Sequence, residues 1–165
     1  MNLPPPAPEL LQRLADAMRT AVTADTVLVG IHTGGVWIAE WLHHALGLNA
    51  PMGSIDVSYH RDDHHLGGGR NGGRASQLPF EVAGAHLVIV DDVLATGRTI
   101  RAAMNELFDY GRPDRIDLAV LVDRGNRELP IAARWCAATI SLPASQTLEL
   151  TRHDNGELVF KVTEK

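Results

Sequence analysis

Two features a few residues apart could do chemistry on a sugar phosphate. Asp91 and Asp92 directly follow the apolar run Leu87 to Val90, which reads as a buried strand. Both carboxylates are therefore expected at the carboxyl edge of a sheet, where open α/β sheets bind ligands. Like charges so close repel each other unless a cation or hydroxyl groups compensate them. A ribose with two vicinal hydroxyls, together with a divalent cation, is one such compensator. Next comes Ala95-Thr96-Gly97-Arg98-Thr99, opening a helix. N–H groups at a helix start, two threonine hydroxyls and a glycine that permits close approach make a cradle for a monophosphate. The acid pair and the cradle are separated by about the span of a ribose 5-phosphate.

The elements that position this run follow from the hydrophobic pattern. Leu10, Leu11, Leu14, Met18 and Val22 have helical spacing, with Pro8 suited to the first turn. Thr26 to Ile31 is a short buried strand. After His32-Thr33-Gly34-Gly35 a helix runs from Val36 to Leu46 and stops at Gly47. Ile55, Val57 and Tyr59 alternate with polar residues, as in a strand with two unlike faces. Residues Arg61 to Gln77 hold five glycines and three arginines with almost no apolar side chains, so a mobile loop is expected. The helix after the acid pair reaches about Tyr110, and Ile116 to Val122 is another apolar strand. Leu148 and Leu150, then Asn155-Gly156, then Leu158, Phe160 and Val162 signal a hairpin. Strands alternating with helices imply an α/β fold with a central, mainly parallel sheet covered on both faces. No internal repeat or linker divides the chain, so residues 1–165 are read as a single domain.

Bulk properties exclude several classes. The formal charge of −5 argues against a surface coated in positive potential for nucleic acid. The thirteen arginines nevertheless cluster, with Arg98, Arg101, Arg112, Arg115, Arg124, Arg127 and Arg134 in one stretch, and arginine suits phosphate. One cysteine, Cys136, excludes an internal disulfide and fits a reducing cytoplasm; it is expected as a small buried side chain. There is no secretory signal pattern and no membrane-spanning apolar run. Trp37 and Trp41, four apart on a helix, are expected to pack. Gly67, Gly69 and Gly72 match a dinucleotide pattern without the strand and helix it needs. The His and Asp residues from His60 to His65 lie in the expected loop, where a metal site would lack fixed geometry.

The run Val88 to Thr99 resembles the phosphoribosyl-pyrophosphate signature of type I phosphoribosyltransferases. Tyr59 to Asp63, the long loop, Asp109 to Pro113 and Leu118 to Pro130 extend this to a closer resemblance, to the PyrR family, from about Thr26 to Pro130. That resemblance implies a type I phosphoribosyltransferase fold with a small hood, acting in the cytoplasm as a homo-oligomer, a dimer or larger. It implies a uracil phosphoribosyltransferase making UMP and pyrophosphate from uracil and phosphoribosyl pyrophosphate, which also regulates pyrimidine operons by binding RNA. By the same resemblance Asp91 and Asp92 hold the ribose hydroxyls, directly or through Mg²⁺. Val93 and Leu94 adjoin them, and Ala95, Thr96, Gly97, Arg98 and Thr99 hold the 5-phosphate. Thr33, Gly34 and Gly35 form the pyrophosphate loop, Arg61 neutralises the pyrophosphate as the loop closes, and Arg124 lies near the nucleotide or pyrophosphate. Asp91, Asp92 and Arg61 are the expected catalytic residues.

Some positions depart from the family pattern. Gly34 stands where an Arg is frequent, and Asn126 where many relatives have His. Leu142-Pro143-Ala144-Ser145 replaces the usual Pro-Thr-Ser, and the first helix has only Arg13 and Arg19 as basic residues. Binding an RNA backbone needs several cations acting together, so these changes weigh against the regulatory activity. Ala95 stands where some purine-using relatives carry an acid, which disfavours hypoxanthine or guanine. The alternative to the enzyme is a UMP-responsive RNA-binding attenuator with little catalysis.

Overall fold

The structure, a computed structural model, describes residues 3–58 and 76–165. Apolar residues at helical spacing wind α1 (Ala7–Met18), burying Leu10, Leu11, Leu14 and Met18, with Pro8 in the first turn where no N–H is missed. The continuous apolar run makes β1 (Val27–Ile31), buried along its whole length. The order continues with α2 (Gly34–Ala45), β2 (Gly53–Ile55), β3 (His86–Leu94), α3 (Arg98–Asp109), β4 (Arg115–Asp123), β5 (Trp135–Thr139), β6 (Gln146–Arg152) and β7 (Leu158–Glu164).

β1 to β5 form one parallel sheet in the order β2-β1-β3-β4-β5. Strand residues alternate between faces, and this sorts the apolar side chains into two cores. Leu28, Val88, Val90, Ala119 and Leu121 face α1 and α2. Val29, Ile31, Leu87, Ile89 and Val120 face α3 with its Ile100, Ala103 and Leu107. The expected parallel sheet, flanked by helices, is thus present.

β6 and β7 pair antiparallel, with Leu148 opposite Val162 and Leu150 opposite Phe160. Gly156 turns the hairpin at φ 87°, a conformation open to glycine. The inner face of the hairpin joins the α1 and α2 core, and the Arg152 guanidinium lies 4.8 Å from the Trp37 ring centre. Trp37 and Trp41 pack against that core, as their spacing implies. This hairpin is the expected hood.

Three boundaries and one burial differ from the sequence reading. The strand expected through Ile55, Val57 and Tyr59 ends at Ile55, as β2. β3 runs past Val90 to Leu94, so Asp91 and Asp92 lie within the strand rather than after it. Backbone pairing of Asp91 with Val120 and Val93 with Val122 outweighs the poor strand propensity of aspartate. The helix after the glycine pair begins at Gly34, earlier than expected. Cys136 is exposed, because β5 is an edge strand and turns that side outward while Trp135 faces the core. Tyr59, Arg61 and the acids and histidines that follow it, the dinucleotide-like glycines and nearly all of the expected mobile loop lie outside the described residues. No helix among the described residues is long and apolar enough to cross a membrane.

Candidate active site

The site begins where the strands end unevenly. β1 pairs with β3 only as far as Gly30 beside Val90, whereas β3 continues to Leu94 with β4 alone as neighbour. Residues Asp91 to Leu94 therefore form a ledge at the sheet's carboxyl edge, and all four line a cleft. Asp91 is buried, and its Oδ1 accepts the Asp92 N–H at 2.9 Å. Asp92 Oδ1 accepts the Val93 N–H at 2.8 Å. Each carboxylate leans toward the following residue, and both residues line the same cleft.

Next along the chain, Ala95 to Gly97 turn the strand into α3. Gly97 caps the helix in the left-handed region at φ 93°, and a side chain there would also crowd Ile131. The Thr96 hydroxyl accepts the Arg98 N–H at 3.2 Å. Ala95, Thr96, Gly97 and Thr99 line the cleft. Arg98 is not among the lining residues; its guanidinium meets Glu128 at 3.2 Å.

The segment after β4 lies across this turn. Gly125 and Asn126 both have positive φ, at 75° and 61°, which Gly and Asn tolerate best. The reversal brings Arg127 back onto Asp123, Nη2 to Oδ2 at 2.7 Å and Nη1 to Oδ1 at 3.1 Å. Arg127 Nη1 also donates to the Ala95 carbonyl at 2.8 Å. The Glu128 and Leu129 N–H groups both donate to the Thr96 carbonyl, at 2.9 and 3.1 Å. Burial alone would raise the Asp123 carboxyl, but the hydrogen bonds from Arg127 and the Gly125 N–H and the Arg127 charge outweigh it. Asp123 is held below its ordinary value.

The other predicted residues fall into two groups. Thr33 caps α2, and Gly34 and Gly35 are buried in its first turn. They adjoin the ledge closely: a Cβ on Gly34 would stand 2.5 Å from Asp92 Oδ2, and one on Gly35 would run into the Val90 carbonyl. Arg124 lines the cleft, but it is buried and committed to the hood. Its Nη1 donates to the Gln146 carbonyl at 2.7 Å and its Nη2 to the Pro143 carbonyl at 3.2 Å. The hood supplies the opposite wall, with Thr147, Glu149, Thr163 and Lys165. The Thr147 and Thr163 hydroxyls share a hydrogen bond of 2.6 Å. The cleft encloses about 1020 Å³, room for a ligand of nucleotide size rather than a single ion. Arg61 falls outside the described residues.

The structure therefore brings together Asp91 to Gly97, Thr99 and Arg124 in one cleft, sets Gly34 against Asp92 and Gly35 against Val90, and leaves Arg98 out of the lining. Sequence reasoning missed Asp123 and Arg127 as supports of the turn, and missed the polar wall of the hood. The positive-φ pair Gly125-Asn126 after a strand ending in Asp was the available signal for the former.

The model of the phosphoribosyl transferase domain family matches residues 7–141. Among curated proteins, the bifunctional protein PyrR of Pseudomonas putida (strain GB-1) is 49% identical over 155 residues, covering 92% of this chain and 90% of that protein. The bifunctional protein PyrR of Pseudomonas paraeruginosa is 50% identical over 154 residues, covering 91% and 90%. Among solved structures, the hypoxanthine phosphoribosyltransferase of Trypanosoma cruzi superposes with a TM-score of 0.65 at 19% identity, covering 94% of this chain and 93% of that one. A hypoxanthine phosphoribosyltransferase from Staphylococcus aureus gives 0.62 at 19% identity, covering 80% and 71%. At that identity the solved structures speak to the fold alone, and the fold they share is the type I phosphoribosyltransferase fold.

Proposed function

The chain belongs to the phosphoribosyl transferase domain family and, within it, to the PyrR proteins, and from that membership we propose that it is a uracil phosphoribosyltransferase. It converts uracil and phosphoribosyl pyrophosphate to UMP and pyrophosphate. The observation that carries this reading is that the acid ledge Asp91-Asp92 shares one cleft with Ala95, Thr96, Gly97 and Thr99 and with polar residues of the hood. Residues 1–165 act in this reading as one domain, in the cytoplasm, as a homo-oligomer.

The residues divide the substrate between them. Thr96, Gly97 and Thr99, with the start of α3 behind them, receive the 5-phosphate through N–H and hydroxyl donors. Asp91 and Asp92 accept hydrogen bonds from the two ribose hydroxyls. That fixes the sugar with its anomeric carbon toward the α2 N-terminus, where Thr33, Gly34 and Gly35 offer backbone donors to the leaving pyrophosphate. Uracil nitrogen attacks that carbon as the bond to pyrophosphate breaks, through an oxocarbenium-like transition state. Stabilising the departing negative charge is the main electrostatic task, which Arg61 shares from its loop. Thr147, Thr163 and Glu149 of the hood provide hydrogen-bonding groups on the base side of the cleft.

Mg²⁺ fits the ledge. Among the described residues no group of three His, Cys, Asp or Glu could hold a metal by itself. Mg²⁺ asks for less, keeping several waters and taking one or two carboxylates with substrate oxygens. Asp91 and Asp92 would supply those carboxylates, and the bound ion would neutralise charge on the pyrophosphate.

Incubation of the protein with uracil, phosphoribosyl pyrophosphate and Mg²⁺ tests the reading. UMP and pyrophosphate in equal amounts are expected, with hypoxanthine, guanine and orotate used far more slowly. Absence of UMP, with tight UMP binding retained, would instead favour the RNA-binding attenuator. Its support is weaker, because Arg98, Arg115, Arg124, Arg127 and Arg134 of the arginine-rich stretch are engaged within the protein.

A further inference from the structure

We infer that Arg127 is a positioning residue for the phosphate cradle: by gripping the Ala95 carbonyl while clamped on Asp123, it aims the cradle's N–H groups at the substrate phosphate. This rests on the transferase reading and deepens it.

The argument is one of peptide geometry. In a planar trans peptide the C=O and N–H point in opposite directions. His32–Thr33 is the cis bond among the described residues, so the peptides of the cradle are trans. Arg127 Nη1 holds the Ala95 carbonyl at 2.8 Å, which directs the Thr96 N–H away from the 124–131 segment. The Glu128 and Leu129 N–H groups hold the Thr96 carbonyl in the same way, which directs the Gly97 N–H away from that segment. Two successive carbonyls are thus drawn toward that segment, and Ala95, Thr96 and Gly97 all line the cleft. Left unheld, a turn of Ala-Thr-Gly could rotate these peptide planes at little cost, since Gly97 places few limits on its own backbone.

The clamp is built to resist rotation itself. Both Arg127 terminal nitrogens meet the Asp123 carboxylate, a bidentate arrangement that fixes the guanidinium plane. Asp123 is anchored in turn by the Gly125 N–H at 2.9 Å and by its place at the end of β4. Arg127 thus reaches the phosphate site only through the backbone of Ala95 and Thr96.

Wild-type protein, Arg127→Ala, Arg127→Lys and Asp123→Asn are titrated by calorimetry with ribose 5-phosphate and with uridine, which lacks the phosphate. The Thr96 and Gly97 amide signals are followed by NMR. Arg127→Ala should weaken ribose 5-phosphate binding by about tenfold, while uridine binding stays within about twofold. The phosphate-induced shift of the Thr96 amide should diminish, and more than that of Gly97, whose direction the Glu128 and Leu129 N–H groups set. KM for phosphoribosyl pyrophosphate should rise more than kcat falls, and Arg127→Lys should recover part of the loss.

A folded Arg127→Ala that binds ribose 5-phosphate as tightly as wild type, with the same amide shifts, overturns the inference. So does an equal loss for uridine, which would mark a general structural role. If Arg127→Ala does not fold, Asp123→Asn carries the test with an expected weakening of about threefold. Wild type that binds no ribose 5-phosphate overturns the transferase reading as well.

Discussion

Gly34 and Asp92 divide a space that cannot hold more. A methyl group on Gly34 would stand 2.5 Å from Asp92 Oδ2, so Gly34→Ala must displace that carboxylate. Misplacing a substrate-holding group by about 1 Å can cost on the order of 100-fold in rate, so kcat/KM should fall by roughly 10- to 100-fold with the melting temperature little changed. Gly35→Ala meets the Val90 backbone, which cannot yield in the same way. The expected loss is therefore one of stability, about 1–3 kcal/mol in urea denaturation. Asp92→Asn keeps the shape of the ledge and removes its charge. It should lower kcat/KM by on the order of 10²–10³, and a rate within a few-fold of wild type would show that Asp92 does not hold the ribose.

Between elements, the buried Arg124 ties β4 to the hood. Its two bonds reach the carbonyls of Pro143 and Gln146, and its buried Nε has no hydrogen-bond partner among the described residues. Arg124→Met leaves those carbonyls to find other donors and should cost about 1–3 kcal/mol. Hydrogen exchange would show the loss as faster exchange in β6 and β7 than in β3. The hairpin of the hood was legible in the sequence, because Asn155-Gly156 stands between two alternating segments. The buried strands were legible too, as apolar runs of the right length. The far end of β3 was not: two aspartates read as a loop, and only pairing with β4 keeps them extended. Nor was the Arg127 clamp on Ala95, which joins residues 32 apart through a turn whose conformation no periodicity encodes. Cys136 misled for a related reason. Alternation tells which residues share a face, whereas only the strand order tells that β5 is an edge.

Across the whole molecule, the edge of the sheet opposite the cleft is held by one carboxylate. Asp117 Oδ2 accepts hydrogen bonds from Arg115 Nε, His86 Nε2 and Arg134 Nη1, at 2.9, 2.8 and 2.9 Å, joining β3, β4 and the start of β5. Burial alone would raise the Asp117 carboxyl, but these donors and the Arg134 charge together hold it below its ordinary value. A carboxyl depressed by folding contributes stability that is fully present above its unfolded value, about 3.9, and is lost as pH falls through the folded one. Asp117→Asn should therefore lower stability at neutral pH and flatten the decline below about pH 4, as measured by urea denaturation across pH. A variant whose stability falls with acid as steeply as wild type would assign that decline to other groups. The placing of the hood, finally, bears on how the protein is made. Its inner face is sealed by α1 and α2, which leave the ribosome early, yet β6 and β7 emerge only after all five strands of the sheet. A nascent chain that has folded its sheet still lacks one wall of its cleft, so competence to hold substrate arrives late in synthesis.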